Sequence, residues 1–344
     1  MSELKRLSKW DNLKFILILL VVIGHFLSSR ANYGDIANRL VLIIYTFHIP
    51  LFIFVSGLFS KSSINNGRLK TERVGFFIVL YIALAALNYV VKLLFGEYEA
   101  IGLLGTYHVQ WYMLAMAGFL LIMYALRHVN PALVMGTAIL LSCFAGYDTQ
   151  IGNFLCLSKI ISFFPFFAAG YYFEPAALAE LARRRSVKAG AVLVLAVFIA
   201  VVWLFPQWYS DSMRPLLFVS VSGMYSRLPN PYFGVVYRLI YYAVAALVSM
   251  SIIALVPERK TFFSSAGRRT LSIYFYHVPL LMIFFSSGLN VWLRDNLPLP
   301  PTLILIMVAV LVTAVLSIPI FEKSLSFIMK LPPRKLPGES TKEK

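Results

Sequence analysis

An ionisable residue stands inside the first long apolar run of the chain. His25 lies within Phe15–Leu27, where every other residue is apolar or glycine. A charged group near a bilayer centre costs about 2.5–3.5 kcal/mol on insertion scales, and such groups usually mark a functional path. Lys14 precedes His25 by eleven residues, roughly three helical turns, so both side chains share one helix face about 16 Å apart. Asp11 lies one turn earlier on that face. The spacing predicts a charged entrance leading to a buried base.

Two more histidines occur in apolar runs, each within an aromatic-His-β-branched-Pro-Leu sequence. They are His48 in Phe47–Leu51 and His277 in Tyr276–Leu280. Each proline frees the carbonyl four residues earlier, which predicts local irregularity of the helix beside the histidine. A histidine in a membrane span either bonds to a neighbouring helix as structural glue or takes part in proton transfer.

The acidic residues help to choose between these roles. A proton-coupled pump normally carries a series of Asp or Glu in its spans, whereas the acidic residues here lie almost wholly at segment ends. Three histidines in mid-span without such a series favour general acid–base chemistry. His108 is placed at an outer segment end, and His128 is interpreted as a loop residue.

A metal site is not expected. The sequence has no HxxxH or CxxC spacing, which zinc sites often show. Cys143 and Cys156 are the only cysteines, and both fall in or beside apolar segments. Two such thiols form neither a disulfide framework nor a metal centre.

Basic residues near the apolar runs are candidates for binding an anionic substrate. A soluble donor with phosphates, such as a coenzyme A thioester, needs cations at the face from which it approaches. Lys14 is the first choice because it shares the face of the buried base. Arg268 and Arg269 come second, since they precede the run that holds the third histidine. Arg73 and the Arg183–Arg185 run are interpreted as topological signals.

The elements that position these residues are predicted to be membrane-spanning helices. Of the 344 residues, 60% are hydrophobic and only 13% are charged, a composition typical of an all-α integral membrane protein. About ten transmembrane helices are expected, near 13–29, 40–59, 74–95, 111–126, 133–147, 157–173, 187–205, 237–256, 270–287 and 302–322. The predicted organisation is one membrane domain over 13–322, with tails at 1–12 and 323–344.

The net charge of +16 could suggest a nucleic-acid partner, but its distribution argues against one. With the N-terminus inside the cell, most of the Lys and Arg residues fall on the inner side. The positive-inside rule accounts for this bias and predicts that both termini are cytoplasmic. The chain is therefore expected to be a multi-pass protein of the cell (inner or plasma) membrane, without nucleic acid as a partner.

The longest predicted extramembrane stretch runs over about 206–236, on the outer side. It carries several aromatic and charged residues, among them Trp208, Tyr209, Tyr225 and Tyr232. Aromatic rings there suit stacking against sugar rings, but they also suit an ordinary interfacial belt of Trp and Tyr. The sequence leaves both interpretations open.

The chain resembles the membrane acyltransferase-3 family, and within it the fucose 4-O-acetylase-like branch. In order along the chain, the likeness is carried by Asp11–Lys14 with Val21–His25, Phe47–Gly57, Trp111–Ala115, Phe164–Tyr171 and Gly267–His277.

The resemblance implies a sugar O-acetyltransferase. Such an enzyme takes an acyl group, usually acetyl, from a cytosolic acyl-CoA and places it on a hydroxyl of a cell-surface or lipid-linked sugar. Acetyl-CoA is then a donor substrate, and no tightly bound cofactor is expected. In the family pattern an arginine stands eleven positions before the first histidine. Lys14 occupies that position here, which keeps the charge but not the planar, bidentate fork of a guanidinium.

His25 is expected to be the general base for the acceptor hydroxyl or a transient acyl carrier. The full expected site comprises His25, His48 and His277 as catalytic residues, Lys14, Arg268 and Arg269 as donor-binding residues, and Asp11, Trp111 and Tyr274 as substrate-binding residues.

Two alternatives stay open at the level of the sequence. A transporter or flippase for a lipid-linked sugar would fit about ten spans and paired His-x-Pro sites, and it would not depend on coenzyme A. An inactive family member that only scaffolds glycan assembly would bind no thioester. The sequence does not name the acceptor or fix the length of the acyl group.

Overall fold

The computed structural model describes residues 8–29, 34–65, 67–98, 104, 109–151, 154–217 and 223–329, and it is built almost wholly from α-helices. The helices, in chain order, are α1 (Ser8–Ser28), α2 (Asp35–Leu58), α3 (Thr71–Leu94), α4 (Trp111–Ala125), α5 (Pro131–Ala145), α6 (Leu157–Tyr172), α7 (Pro175–Leu181), α8 (Arg185–Leu204), α9 (Pro206–Leu217), α10 (Gly234–Leu255), α11 (Thr270–Ser286), α12 (Leu289–Asn296), α13 (Pro301–Leu316) and α14 (Pro319–Met329).

Short irregular elements connect some of these helices. A two-stranded antiparallel hairpin, β1 (Ile64–Asn65) with β2 (Arg68–Leu69), joins α2 to α3 and pairs Ile64 with Leu69. Single 3-10 turns lie at Lys61–Ser63, Met224–Arg227, Pro231–Phe233 and Ala266–Arg268.

Several of the helices are long and apolar enough to cross a membrane. Five helical segments meet this criterion among the described residues: α1, α2, α3, α8 and the stretch Pro231–Leu255 that contains α10. The number rises to seven if two bent pairs each count as one span. These pairs are α11 with α12, bent by 64°, and α13 with α14, bent by 60°. The protein is therefore an all-α, multi-pass membrane protein.

Each of the ten predicted segments lies on a helix, and the last covers the bent pair of α13 and α14. The number of crossings stays a prediction, because α4 and α5 have only 15 residues each. Fifteen residues rise about 22 Å, which is less than the roughly 30 Å hydrocarbon layer. The cytoplasmic position of the termini and the domain limits also stay predictions. Helix α1 begins before 13 and α14 continues past 322, whereas residues 330–344 lie outside the described part.

Helices α2 and α11 continue across their internal prolines, Pro50 and Pro279. The predicted irregularity therefore does not break either helix. In α2, Thr46 and Pro50 are buried, and the Thr46 hydroxyl bonds to the Leu42 carbonyl at 2.8 Å and to the Tyr209 hydroxyl at 2.7 Å. These contacts hold the helix at the turn before the proline.

Helices α2 and α6 meet at the centre of the fold through two glycines. A Cβ atom at Gly57 would overlap the carbonyl oxygen of Phe167, and one at Gly170 would overlap the carbonyl oxygen of Phe54. The two backbones thus approach each other more closely than any side chain allows, as small residues permit in membrane helix pairs. Because both glycines lie in stretches that carry the family resemblance, this contact explains part of that pattern as packing.

We expect Gly170→Ala to destabilise the protein, since the new methyl group pushes α6 away from α2. The thermal midpoint in detergent should fall by several degrees, and the yield of monodisperse protein should drop. Gly136→Ala is the matched control, because it also lies in a helix but has no atom within 4 Å of the added carbon. Alanine is the better helix former, so the control should be neutral or stabilising. Equal midpoints for the two variants would contradict the close contact.

Candidate functional site

Three helices bring the three mid-span histidines together. The rings of His25 on α1 and His277 on α11 have centroids 5.3 Å apart. His48 on α2 joins them through Tyr45, whose ring centroid lies 4.6 Å from that of His48 and 6.4 Å from that of His25. His48 is 2% exposed and His277 is 0% exposed, whereas His25 is partly exposed. Residues far apart in the chain thus form one cluster, called here the histidine cluster.

The backbone fixes the tautomer of two of these histidines. The Nδ1 atom of His48 lies 2.8 Å from the Ile44 carbonyl oxygen, and that of His277 lies 2.7 Å from the Tyr274 carbonyl oxygen. A carbonyl only accepts a hydrogen bond, so each Nδ1 carries the hydrogen and donates it. Each neutral ring therefore presents Nε2 as its basic nitrogen. For His277 this buried Nε2 has no hydrogen-bond partner among the described residues.

A cavity of about 260 Å³ opens beside the histidine cluster. Lys14 and Arg73 contribute cations to its lining, Ser56 and Tyr112 contribute hydroxyl groups, and Tyr274 lies on its wall. Apolar and aromatic side chains make up most of the remaining lining. A cavity with two cations and a largely apolar wall suits a long ligand with an anionic head and an uncharged arm.

Two tyrosines form the wall of the cavity toward the histidines. The Tyr112 and Tyr274 ring centroids lie 5.2 Å apart. Tyr112 bonds to the Ser56 hydroxyl at 2.6 Å, and the Tyr274 hydroxyl donates to the carbonyl of Val109. The centroid of Tyr274 lies 5.6 Å from that of His277. No histidine belongs to the described lining of this cavity, and Tyr274 is a lining residue that contacts the histidine cluster.

The beginning of α4 is buried, which explains how Tyr112 reaches this wall. Val109 and Gln110 are 8% and 6% exposed. Trp111 stacks on Phe163 of α6 with ring centroids 5.7 Å apart, and the Lys159 ammonium lies 5.6 Å from the Trp111 ring centroid. Trp111 is thus packed against α6, while its neighbour Tyr112 faces the cavity.

The predicted entrance residues on α1 are held as a pair. Lys14 Nζ lies 3.1 Å from Asp11 Oδ1 and 5.6 Å from the centroid of the Phe59 ring. Asp11 is 5% exposed, and its backbone carbonyl packs directly against Gly267, where a Cβ would overlap it. Asp11 therefore orients Lys14 instead of facing the cavity itself.

The basic residues at the start of α11 lie elsewhere. Arg269 Nε lies 3.1 Å from Glu322 Oε2 of α14, and its Nη1 donates to the Ser317 carbonyl at 3.1 Å. Arg268 is exposed. Neither residue belongs to the cavity lining, whereas Arg73, interpreted from the sequence as a topological signal, does.

A buried amide fixes the first helix against the segment before α11. Asn12 is 0% exposed. Its Nδ2 donates to the carbonyls of Pro257 at 2.9 Å and Arg259 at 3.0 Å. Its Oδ1 accepts from the hydroxyls of Thr261 at 2.8 Å and Ser264 at 2.6 Å. The Asn12 side chain thus makes four hydrogen bonds to the segment before α11. These bonds set the position of Lys14, two residues further along α1.

The aromatic segment near 206–236 divides between core and surface. Tyr209 and Tyr225 are 4% and 1% exposed, whereas Trp208 and Tyr232 are largely exposed. Burial raises the pKa of Tyr209 to about 12, so its hydroxyl stays protonated at physiological pH. Only Trp208 and Tyr232 of these four are available for stacking or for an interfacial belt.

Among the described residues, no group of three or more His, Cys, Asp or Glu could hold a metal ion. Cys143 and Cys156 are free and buried.

Apolar helices around a buried histidine cluster and a cation-lined cavity define a multi-pass membrane protein with an internal polar site. Residues 7–318 match the model of the acyltransferase-3 family (Acyl_transf_3, acyltransferase domain), and the chain belongs to this family. It is a membrane acyltransferase. No match was found among the curated proteins or among the solved structures. The fucose 4-O-acetylase-like branch stays a prediction.

Proposed function

We propose that this acyltransferase moves an acetyl group from acetyl-CoA to a hydroxyl of a cell-surface or lipid-linked sugar. The observation that carries the proposal is the position of the histidine cluster directly behind a cation-lined cavity in a member of this family. The cavity has the character that a donor with a phosphorylated head requires, and the cluster has the bases that transfer to a hydroxyl requires.

The donor binds with its phosphates near Lys14 and Arg73 and its thioester toward Tyr112 and Tyr274. Both cations line the cavity, and among the described residues no ion pair is formed by Arg73. A guanidinium presents a planar fork that matches phosphate, whereas an ammonium acts as a point charge. Lys14 stands where the family pattern has an arginine, so that position lacks a guanidinium. Arg73 supplies a guanidinium to the same cavity from α3.

Transfer follows from the neutral imidazoles of the cluster. His25, as general base, takes the proton of the acceptor hydroxyl, and the oxygen attacks the thioester carbonyl carbon. The carbon–sulfur bond then breaks, and the leaving thiolate takes the proton from the imidazolium to give coenzyme A. His277 and His48, whose Nε2 atoms are the basic ones, orient the acceptor or stabilise the developing charge. The alternative in which His25 carries the acyl group uses the same geometry.

The donor reaches this site from the cytoplasm if both termini are cytoplasmic, as the distribution of basic residues predicts. The protein then acts in the cell membrane, with acyl-CoA, a glycan or lipid-linked sugar, and the bilayer as its partners. No tightly bound cofactor is required, because the thioester itself supplies the activated acyl group. Membership of the acyltransferase family weighs against the transporter and the inactive scaffold.

The proposal is tested with membranes from cells that express the protein. They are incubated with acetyl-labelled coenzyme A and the glycolipid fraction of the host, and label in alkali-labile esters of the glycolipid is measured. We expect label only in membranes that contain the protein, compared with membranes from cells carrying the empty vector. No label from acetyl- or succinyl-CoA, with the protein inserted and an acceptor shown to be present, would favour the transporter.

A further inference from the structure

We propose that the hydroxyl groups of Ser28 and Tyr45 form the subsite that binds the acceptor polyol beside His25. The proposal rests on the proposed function and specifies which side chains hold the second substrate. Neither residue was singled out from the sequence, and neither lines the cation-lined cavity. The subsite therefore lies outside the lining of that cavity, next to His25.

The exposure of the histidines indicates where the acceptor approaches. His48 and His277 are 2% and 0% exposed, so His25 alone among the three is partly exposed. Because no histidine belongs to the lining of the donor cavity, we place the approach of the acceptor at the exposed part of His25. Ser28 lies one turn beyond His25, at the last position of α1, and it is also partly exposed.

Among the described residues, a pair of hydroxyl groups lies beside the exposed part of His25. Ser28 Oγ and Tyr45 Oη lie 2.8 Å apart. The Tyr45 ring lies against both His48 and His25, with centroid distances of 4.6 Å and 6.4 Å. A hydroxyl pair of this kind both donates and accepts, which is the property needed to bind neighbouring hydroxyls of a sugar. A polyol bound there has one hydroxyl next to the basic nitrogens of the cluster.

Gly24 helps to place Tyr45 at this position. A Cβ at Gly24 would lie 3.0 Å from Tyr45 Cε2 and 3.4 Å from Ile44 Cγ2. A methyl group there forces the Tyr45 ring to move by a few tenths of an ångström while leaving its hydroxyl intact. The residue before His25 thus allows a tyrosine from α2 to lie across α1 between two histidines.

In the reaction, Ser28 and Tyr45 hold the acceptor while His25 removes the proton of its reacting hydroxyl. The new ester bond forms between that oxygen and the acyl carbon, and the bond from this carbon to sulfur breaks. The proton passes from His25 to the departing thiolate. Ser28 and Tyr45 gain and lose no proton overall, so their contribution is to acceptor binding.

The test uses membranes with full-length wild type, Tyr45→Phe, Ser28→Ala and the double variant, with acetyl-labelled coenzyme A and the host glycolipid fraction as probes. For the double variant we expect the half-saturating glycolipid concentration to rise about tenfold or more, as loss of two hydrogen-bonding groups implies. The KM for acetyl-CoA should stay within about twofold. Gly24→Ala should also raise the half-saturating glycolipid concentration, because it displaces the Tyr45 ring without removing a hydroxyl group.

Tyr209→Phe is the matched control. It also removes a tyrosine hydroxyl bonded to a side-chain hydroxyl of a neighbouring helix, that of Thr46 at 2.7 Å, but its ring packs against Phe198 of α8. The subsite would be overturned if the half-saturating glycolipid concentration of the double variant equals that of wild type. It would also be overturned if this concentration and the KM for acetyl-CoA change by the same factor. Wild-type membranes that transfer no label overturn the proposed function itself, and the subsite with it.

Discussion

Replacement of His25 by alanine should lower kcat/KM for acetyl transfer by about 10²–10⁴-fold, the range that general acid–base catalysis contributes. The partly exposed imidazole lies 5.3 Å from that of His277, centroid to centroid. The neighbouring histidines do not replace it, because His48 and His277 are 2% and 0% exposed and so are less accessible to an acceptor. The measurement is transfer of labelled acetyl to glycolipid at several acetyl-CoA concentrations.

His128→Ala is the matched control for this prediction. His128 follows α4 and is exposed, so its loss should leave transfer unchanged. Both variants should insert into membranes and elute from a sizing column as wild type does. Added imidazole should restore part of the activity of the His25 variant alone, since a free base can enter the space that alanine leaves. Near-normal turnover of His25→Ala would contradict the mechanism.

Replacement of Arg73 by alanine should raise the KM for acetyl-CoA about tenfold and leave the KM for acetyl-pantetheine unchanged. Charge-assisted hydrogen bonds to phosphate are the contacts that a guanidinium at the cavity lining can make, and acetyl-pantetheine lacks the phosphates that it would bind. Lys14→Ala should likewise raise the KM for acetyl-CoA and leave the KM for acetyl-pantetheine unchanged. Lys14→Arg should keep acetyl-CoA binding, because it restores the residue of the family pattern without changing the charge.

Arg68 provides the control, since this exposed residue of the hairpin before α3 does not line the cavity. Arg68→Ala should change neither constant. If Arg73→Ala raises the KM for both donors equally, Arg73 supports the shape of the cavity and does not bind phosphate. If neither constant moves, the anionic head of the donor lies elsewhere, and the exposed Arg268 becomes the next residue to replace.

The helices were largely predictable because apolar length is a local property of the sequence. Every predicted segment lies on a helix, including the short ones at 133–147 and 157–173. The bends after Ser286 and Leu316 were not predictable, because a bend depends on what each half packs against. The burial of Val109 and Gln110 before α4 was not predictable for the same reason.

The site was predictable where chemistry alone marks a residue. A histidine in an apolar run is conspicuous, and His25, His48 and His277 lie in one cluster. Arg73 looked like one more basic residue on the inner side, because its place in the cavity depends on how α3 packs. Tyr45 gave a weak signal, three residues before His48 and so on the same helix face. Arg269 was assigned to the donor, but the structure pairs it with Glu322.

The tyrosine wall between the cavity and the histidines also has an electrical consequence. Imidazoles exchange protons near neutral pH, so a continuous water path along the cluster would carry protons through the protein. Each proton that crosses releases about 2.3 kcal/mol per 100 mV of membrane potential. Tyr274, whose hydroxyl bonds to the carbonyl of Val109, lines the cavity and contacts His277, so any such path passes beside its ring. A bulky side chain at this position limits the room for water between the cavity and the histidines, and with it the leakage of protons across the membrane.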